Sequence, residues 1–210
     1  YADQRLNGKR SKRVEKLCAA NNGKGSPIDF LSVHTYNGSE MAANKMIRAK
    51  EMALEITPDY YADLWINTHE SCPTWTGGAD PAISDGYSGN GYFATWLADV
   101  SGRLLRRASE DKRYAYGESI LTFWPWQNSN FNSLNDVFRV IQIDEDGDGK
   151  TDRKETVPTP EFHFINLLCS MGSDYWVLPE EKIGGHSVTG FASKTDKDLR
   201  ILLYSHFGQD

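Results

Sequence analysis

The residue best suited to chemistry is Glu70. It follows the short apolar run Leu64-Trp65-Ile66 and the polar stretch Asn67-Thr68-His69, and it precedes a loop carrying Pro73, Trp75 and Gly77-Gly78. A short apolar run bounded by polar residues predicts a buried strand over 62–70. A carboxylate at the end of a rigid strand, with aromatic groups on the loop beyond, is a common way for α/β proteins to present catalytic groups. Two other strand-like segments end in a similar way. Ile28 to Tyr36 finishes on His34 and Tyr36, and Glu118 to Trp124 finishes on Trp124 before Pro125-Trp126. In a parallel sheet the carboxyl ends of strands share one face. His34, Tyr36, His69, Glu70, Trp75 and Trp124 are then expected to converge although they are distant in the chain. A carboxylate ringed by such groups suits a carbohydrate, because aromatic faces stack on a pyranose and polar edges bond its hydroxyls. The spacing alone fits a strand-end glutamate in an ordinary salt bridge equally well.

The sharpest single pattern is Asp144-Glu145-Asp146-Gly147-Asp148-Gly149-Lys150-Thr151-Asp152-Arg153-Lys154-Glu155. It follows the calcium-loop spacing D-x-D-x-D-G-x5-E, which supplies oxygens from positions 1, 3, 5, 7, 9 and 12 around a hard cation. The expected ligands are Asp144, Asp146, Asp148, the Lys150 carbonyl, Asp152 and Glu155, holding structural Ca2+. Thr151 stands where an EF-hand has an aliphatic residue, and no helix pair flanks the loop. An EF-hand-like loop between a strand and a helix is therefore expected. Zinc is not: His69-Glu70 would need a second histidine at position 73, which is Pro73.

The elements that must position these groups alternate. A helix over Lys12 to Ala20 precedes the strand ending at Tyr36. Asn37-Gly38-Ser39 is a turn whose Ser39 is expected to cap a helix over Glu40 to Ile56. That helix carries Ala42, Met46, Ala49 and Ala53 as one stripe and stops at Thr57-Pro58. After the Glu70 strand and a long loop to Gly89, a helix over Asn90 to Asp111 carries Phe93, Trp96, Leu97, Val100, Leu104 and Ala108 at helical spacing. The Trp124 strand, a short strand over Val137 to Ile143, the acidic loop and a helix opening at Thr159-Pro160-Glu161 follow. Alternation of this kind predicts a parallel sheet with helices outside. From Tyr175 the pattern becomes short strands between turn residues, so a boundary is expected at 173/174.

Composition narrows the partners. The 210 residues carry a formal net charge of −6, which argues against a nucleic-acid partner. The lone basic cluster, Lys9-Arg10-Ser11-Lys12-Arg13, reads as a solvated helix face. Cys18, Cys72 and Cys169 are odd in number and widely spaced, so neither a disulfide framework nor a cysteine zinc site is expected. No apolar run approaches the roughly 18 residues of a membrane span. His163 and His186 are isolated and read as structural.

The segments Asp29-Phe30-Leu31-Ser32-Val33-His34-Thr35-Tyr36, Ile66-Asn67-Thr68-His69-Glu70 and Leu121-Thr122-Phe123-Trp124 resemble, in order and spacing, the family 39 glycoside hydrolases. Asn135-Asp136-Val137-Phe138 and Val157-Pro158-Thr159-Pro160 extend the likeness, which runs from residue 12 to the end. That family includes β-xylosidases and α-L-iduronidases. The resemblance implies an α/β fold: the last three strand–helix units of a (β/α)8 barrel, a partial TIM barrel, over 1–173, then the start of an accessory β-sandwich over 174–210. It makes Glu70 the nucleophile of a retaining glycosidase, with His34, Tyr36, His69, Trp75 and Trp124 lining the sugar site. Two departures stand out. The family's Thr-Glu is here Thr68-His69-Glu70, and the Asn-Glu pair that carries its acid/base occurs nowhere in the chain. The chain opens on Tyr1 and closes soon after Leu199 to Tyr204, a strand with no evident partner. A fragment lacking the acid/base, inactive alone, is expected, and secretion is expected from the calcium loop and the polysaccharide-like substrate. The competing reading is a non-catalytic, calcium-stabilised carbohydrate-binding protein on the same scaffold.

Overall fold

The computed structural model describes residues 29–73, 91–115 and 138–206, apart from the side chains of Ile56, His69, Glu70, Cys72 and Arg139. The helix expected over Lys12 to Ala20, the Trp124 strand and the loop bearing Trp75 lie outside these residues. The fold is mixed α/β. Among the described residues it comprises β1 (Phe30–Tyr36), α1 (Ser39–Ile56), β2 (Trp65–Cys72), α2 (Gly91–Glu110), β3 (Phe138–Ile143), β4 (Arg153–Pro158), α3 (Pro160–Ser170), β5 (Tyr175–Ile183), β6 (His186–Lys194) and β7 (Leu199–Tyr204). No sheet among them closes into a barrel. The chain divides into two units, 1–73 with 99–124 and 207–210, and 74–98 with 125–206, the division falling within α2.

In the first unit β1 and β2 pair in parallel, as the strand–helix–strand order requires. The expected alanine stripe of α1 is buried: Ala42, Met46, Ala49 and Ala53, joined by Ala43, Met52 and Leu54. Small side chains let a helix approach its sheet closely, and the two methionines fill the irregular space beside them. The helix begins on Ser39 itself, with Gly38 at the cap position. Ser39 does not cap. Its hydroxyl donates instead to Asp99 Oδ2 of α2 at 2.6 Å. In β2, Leu64 and Ile66 flank the start of the strand and are buried, while Trp65 between them is exposed. The apolar run is therefore buried on one face rather than both.

The α1–β2 connection rests on a buried lysine. Lys50 is 1% exposed and lies within the apolar stripe of α1. Its Nζ donates to the carbonyls of Tyr61 at 2.8 Å, Ala62 at 2.8 Å and Leu64 at 2.5 Å. All three ammonium protons are used, on carbonyls of a turn that has few backbone donors of its own. Burial pushes this ammonium down to about 8, with the charge of Asp63 working in the opposite direction.

In the second unit β3 and β4 form an antiparallel pair. The sequence expectation placed a helix after the acidic loop, but Arg153 to Pro158 is a strand. Its charged composition hides the strand, and pairing with β3 creates it. The loop therefore closes a hairpin. Beyond α3, the strands β5, β6 and β7 form an antiparallel sheet in that order. The final strand does have a partner, β6. Phe191, Leu202 and Tyr204 are buried, whereas Trp176, Leu199, Ile201 and Leu203 are exposed. The turn between β5 and β6 is Gly184-Gly185, with φ of 60° and 87°. A two-residue hairpin turn with both φ positive is the twist-matched kind, and glycine adopts it without strain.

Replacing Lys50 by methionine preserves the stem and removes the donors. Lys50→Met is expected to lower unfolding stability by about 3 kcal/mol in urea titration, because three carbonyls lose their partner. A loss below about 0.5 kcal/mol, the scale of an ordinary surface change, would show that water serves those carbonyls equally well.

Candidate functional site

Two places hold the residues singled out from sequence, one in each unit. The first is the carboxyl end of the β1–β2 pair. Parallel pairing puts the ends of both strands at the same edge, as an α/β site needs. The register runs Phe30↔Trp65 through Val33↔Thr68, then skips one residue, so that His34 pairs with Glu70, Thr35 with Ser71 and Tyr36 with Cys72. His69 is the residue passed over, which makes it the extra residue of a β-bulge. Glu70 is not the last residue of its strand, since β2 continues to Cys72. His34 and Tyr36 are half-buried, and their rings meet edge-on at 6.1 Å and 83°. Glu70 and His69 are thus placed by backbone register, and Trp75 and Trp124 lie outside the described residues.

The chain leaving Tyr36 is braced. Asn37 Oδ1 accepts from Lys45 Nζ, and Ser39 donates to Asp99. Arg103 Nε donates to the same Asp99 oxygen at 2.9 Å, and its guanidinium lies 3.7 Å from Glu40. These bonds hold the β1–α1 connection against α2. None of this brace was visible as a motif, because its members are scattered single residues. The buried hydroxyls of Thr35 and Ser71, which hydrogen-bond across the strands, were missed for the same reason.

The second place is the β3–β4 hairpin loop. Asp144 Oδ1 accepts from the Gly147 N–H at 2.6 Å and its Oδ2 from the Gly149 N–H at 2.8 Å. Gly147 and Gly149 have φ of 77° and 83°, the left-handed conformation that lets these amides turn inward. Asp152 Oδ2 accepts from the Glu145 N–H at 2.7 Å, closing the loop from the other side. Carboxylate oxygens of Asp144, Asp146 and Asp152 lie within 4.8 Å of one another. Oxygens that share one hard cation at about 2.3–2.6 Å fall within such a span, so this donor set fits a divalent ion.

The loop does not bring all six expected ligands together. Asp148 is bonded to Lys150 Nζ at 2.5 Å and to the Lys150 N–H at 2.8 Å. Glu155 lies inside β4, opposite Ile141, and takes the Arg153 guanidinium, which also bonds Glu145. An EF-hand swings its position-12 glutamate onto the ion from a helix. Here that position is held in a strand and its carboxylate is neutralised by its neighbour but one.

No protein-family model matches the chain, no curated protein matches it and no solved structure matches it.

The Gly149 amide, then those of Gly147 and Asp148, hold the Asp144 carboxyl below its ordinary value. A carboxyl depressed in the folded state contributes at neutral pH and loses that contribution as pH falls through its folded value. Amide exchange at Gly147 and Gly149 is therefore expected to stay protected at neutral pH and to lose protection only below the usual aspartate range. Protection lost already above that range would detach these amides from Asp144.

Proposed function

We propose that the chain is the catalytic-nucleophile portion of a retaining glycoside hydrolase acting on an oligo- or polysaccharide. In this reading it supplies the last three strand–helix units of a (β/α)8 barrel over 1–173 and the opening of a β-sandwich over 174–210. The observation that carries the reading is the register at the β1–β2 edge. Because the bulge absorbs His69, Glu70 lies opposite His34 and Cys72 opposite Tyr36. The residue that departs from the family's Thr-Glu spacing is thereby taken out of the pairing.

Glu70 attacks the anomeric carbon and forms a covalent glycosyl intermediate, while a second carboxyl about 5–5.5 Å away protonates the leaving oxygen. Water then releases the sugar, with the second carboxyl acting as base. His34, Tyr36, His69, Trp75 and Trp124 hold the ring through stacking and hydroxyl contacts. The chain carries no Asn-Glu pair, so the scheme takes its acid/base from outside these 210 residues. The protein acts outside the cell, where calcium is abundant. In the hairpin loop Asp144, Asp146 and Asp152 hold Ca2+, which supplies charge compensation and rigidity rather than chemistry.

The test uses the natural chain that contains this sequence together with the acid/base, assayed on a panel of aryl glycosides. Glu70→Gln is expected to lower kcat by about 10³-fold or more, as loss of a nucleophile does. Turnover at the parental rate by Glu70→Gln would sink the assignment. A second reading, a calcium-stabilised carbohydrate-binding protein, is favoured by the missing Asn-Glu pair; sugar binding by this chain without hydrolysis by the longer one would establish it.

Calcium titration of chelator-treated protein is expected to give a Kd on the order of 10⁻⁴ M, the weak extracellular class. Asp146→Ala should abolish it, and Asp148→Ala should weaken it far less, since Asp148 is occupied by Lys150. No heat and no change in Tm on adding calcium would refute the site.

A further inference from the structure

The β1–β2 pair has two registers open to it, and the chain takes the irregular one. Without the bulge, His34 would face His69, Thr35 would face Glu70 and Tyr36 would face Ser71. Thr35 is 1% exposed. Setting Glu70 opposite it would bring a carboxylate to a buried position, which is costly unless bonds compensate it. In the register adopted, the partner of Thr35 is Ser71, itself 5% exposed, and the two hydroxyls hydrogen-bond.

The burial pattern along β2 records the choice. Ile66 and Thr68 are buried two residues apart, and Thr68 and Ser71 three apart. A strand alternates with period two, so this phase change cannot come from a regular ladder. It follows from inserting His69 and then resuming the alternation one residue later. The hydroxyl pair is the first buried contact after the insertion.

We propose that Thr35 and Ser71 are positioning residues: their hydroxyl bond selects the bulged register and so sets Glu70 beside His34. The register claim stands on its own, while its catalytic consequence rests on the reading of Glu70 as nucleophile. The two residues act through the strand and touch no substrate. Their contribution is to close the ladder behind the bulge, so that the extra residue cannot migrate toward Tyr36.

Backbone contacts between His34 and Glu70, read by inter-strand NOEs in the 210-residue chain, report the register. Thr35→Val and Ser71→Ala are each expected to lose those contacts and to gain contacts between His34 and His69. Thr35→Ser, which keeps the hydroxyl, should retain the original set. In the longer catalytic chain Thr35→Val should lower kcat about 10²-fold with KM little changed, the scale of a misplaced reacting group, and Thr35→Ser should restore it. Unchanged His34–Glu70 contacts in both disrupting variants would overturn the proposal. Loss of the folded state in both would also overturn it, by assigning the pair to global stability. If the contacts shift as expected while Glu70→Gln turns over normally, the glycosidase reading falls and the register selection stands.

Discussion

The Lys50 ammonium is the interaction on which the first unit depends. A helix followed by a parallel strand needs a connection that reverses the chain, and such a connection turns its carbonyls inward. Three of them, at Tyr61, Ala62 and Leu64, meet one buried cation. The donor comes from the middle of α1, so the helix and the start of β2 are fixed to each other by a single side chain. Where β2 begins decides which residue reaches its carboxyl end. The position of Glu70 thus traces back to a lysine on a different element, which also explains why a charge is tolerated among Met46, Ala49 and Ala53.

The two brackets around the strand edge divide the work. Lys50 sets the amino end of β2, and Asp99, with Ser39 and Arg103, sets the amino end of α1 just after β1. Both use a charged group with several partners rather than a run of apolar contacts. Multiple bonds to one charge give direction as well as energy, which apolar packing does not. The hairpin loop follows the same logic with opposite sign: the Asp144 carboxylate gathers the amides of Gly147 and Gly149 and defines the turn.

Periodicity made the helices legible. Every residue of the stripe Phe93, Trp96, Leu97, Val100, Leu104 and Ala108 is buried, because an amphipathic helix writes its core face at a spacing no strand shares. Strands were legible where an apolar run marked them, as in β1 and β7, and illegible in β4. Arg-Lys-Glu-Thr-Val-Pro has no apolar alternation, and its strand exists through pairing. Lys50 did leave a signal, a lysine four residues from both Met46 and Leu54, but one charge in an apolar stripe reads as noise until its partners are known. The calcium spacing located the loop correctly and misjudged its frame. Spacing counts residues along the chain, whereas ligation depends on which way a strand carries them, and β4 carries Glu155 into contact with Arg153.

The bulge at His69 has a consequence for how such strands change over time. An insertion in a helix rotates everything beyond it by about 100°, and an insertion in a regular strand turns the rest of the strand over. An insertion that is expelled as a bulge does neither. The sheet loses one pair and resumes its phase, so the groups downstream keep their neighbours. To any comparison that reads the chain letter by letter, the same event is a frameshift. Two proteins can then share the geometry of a strand end while their written motifs no longer align.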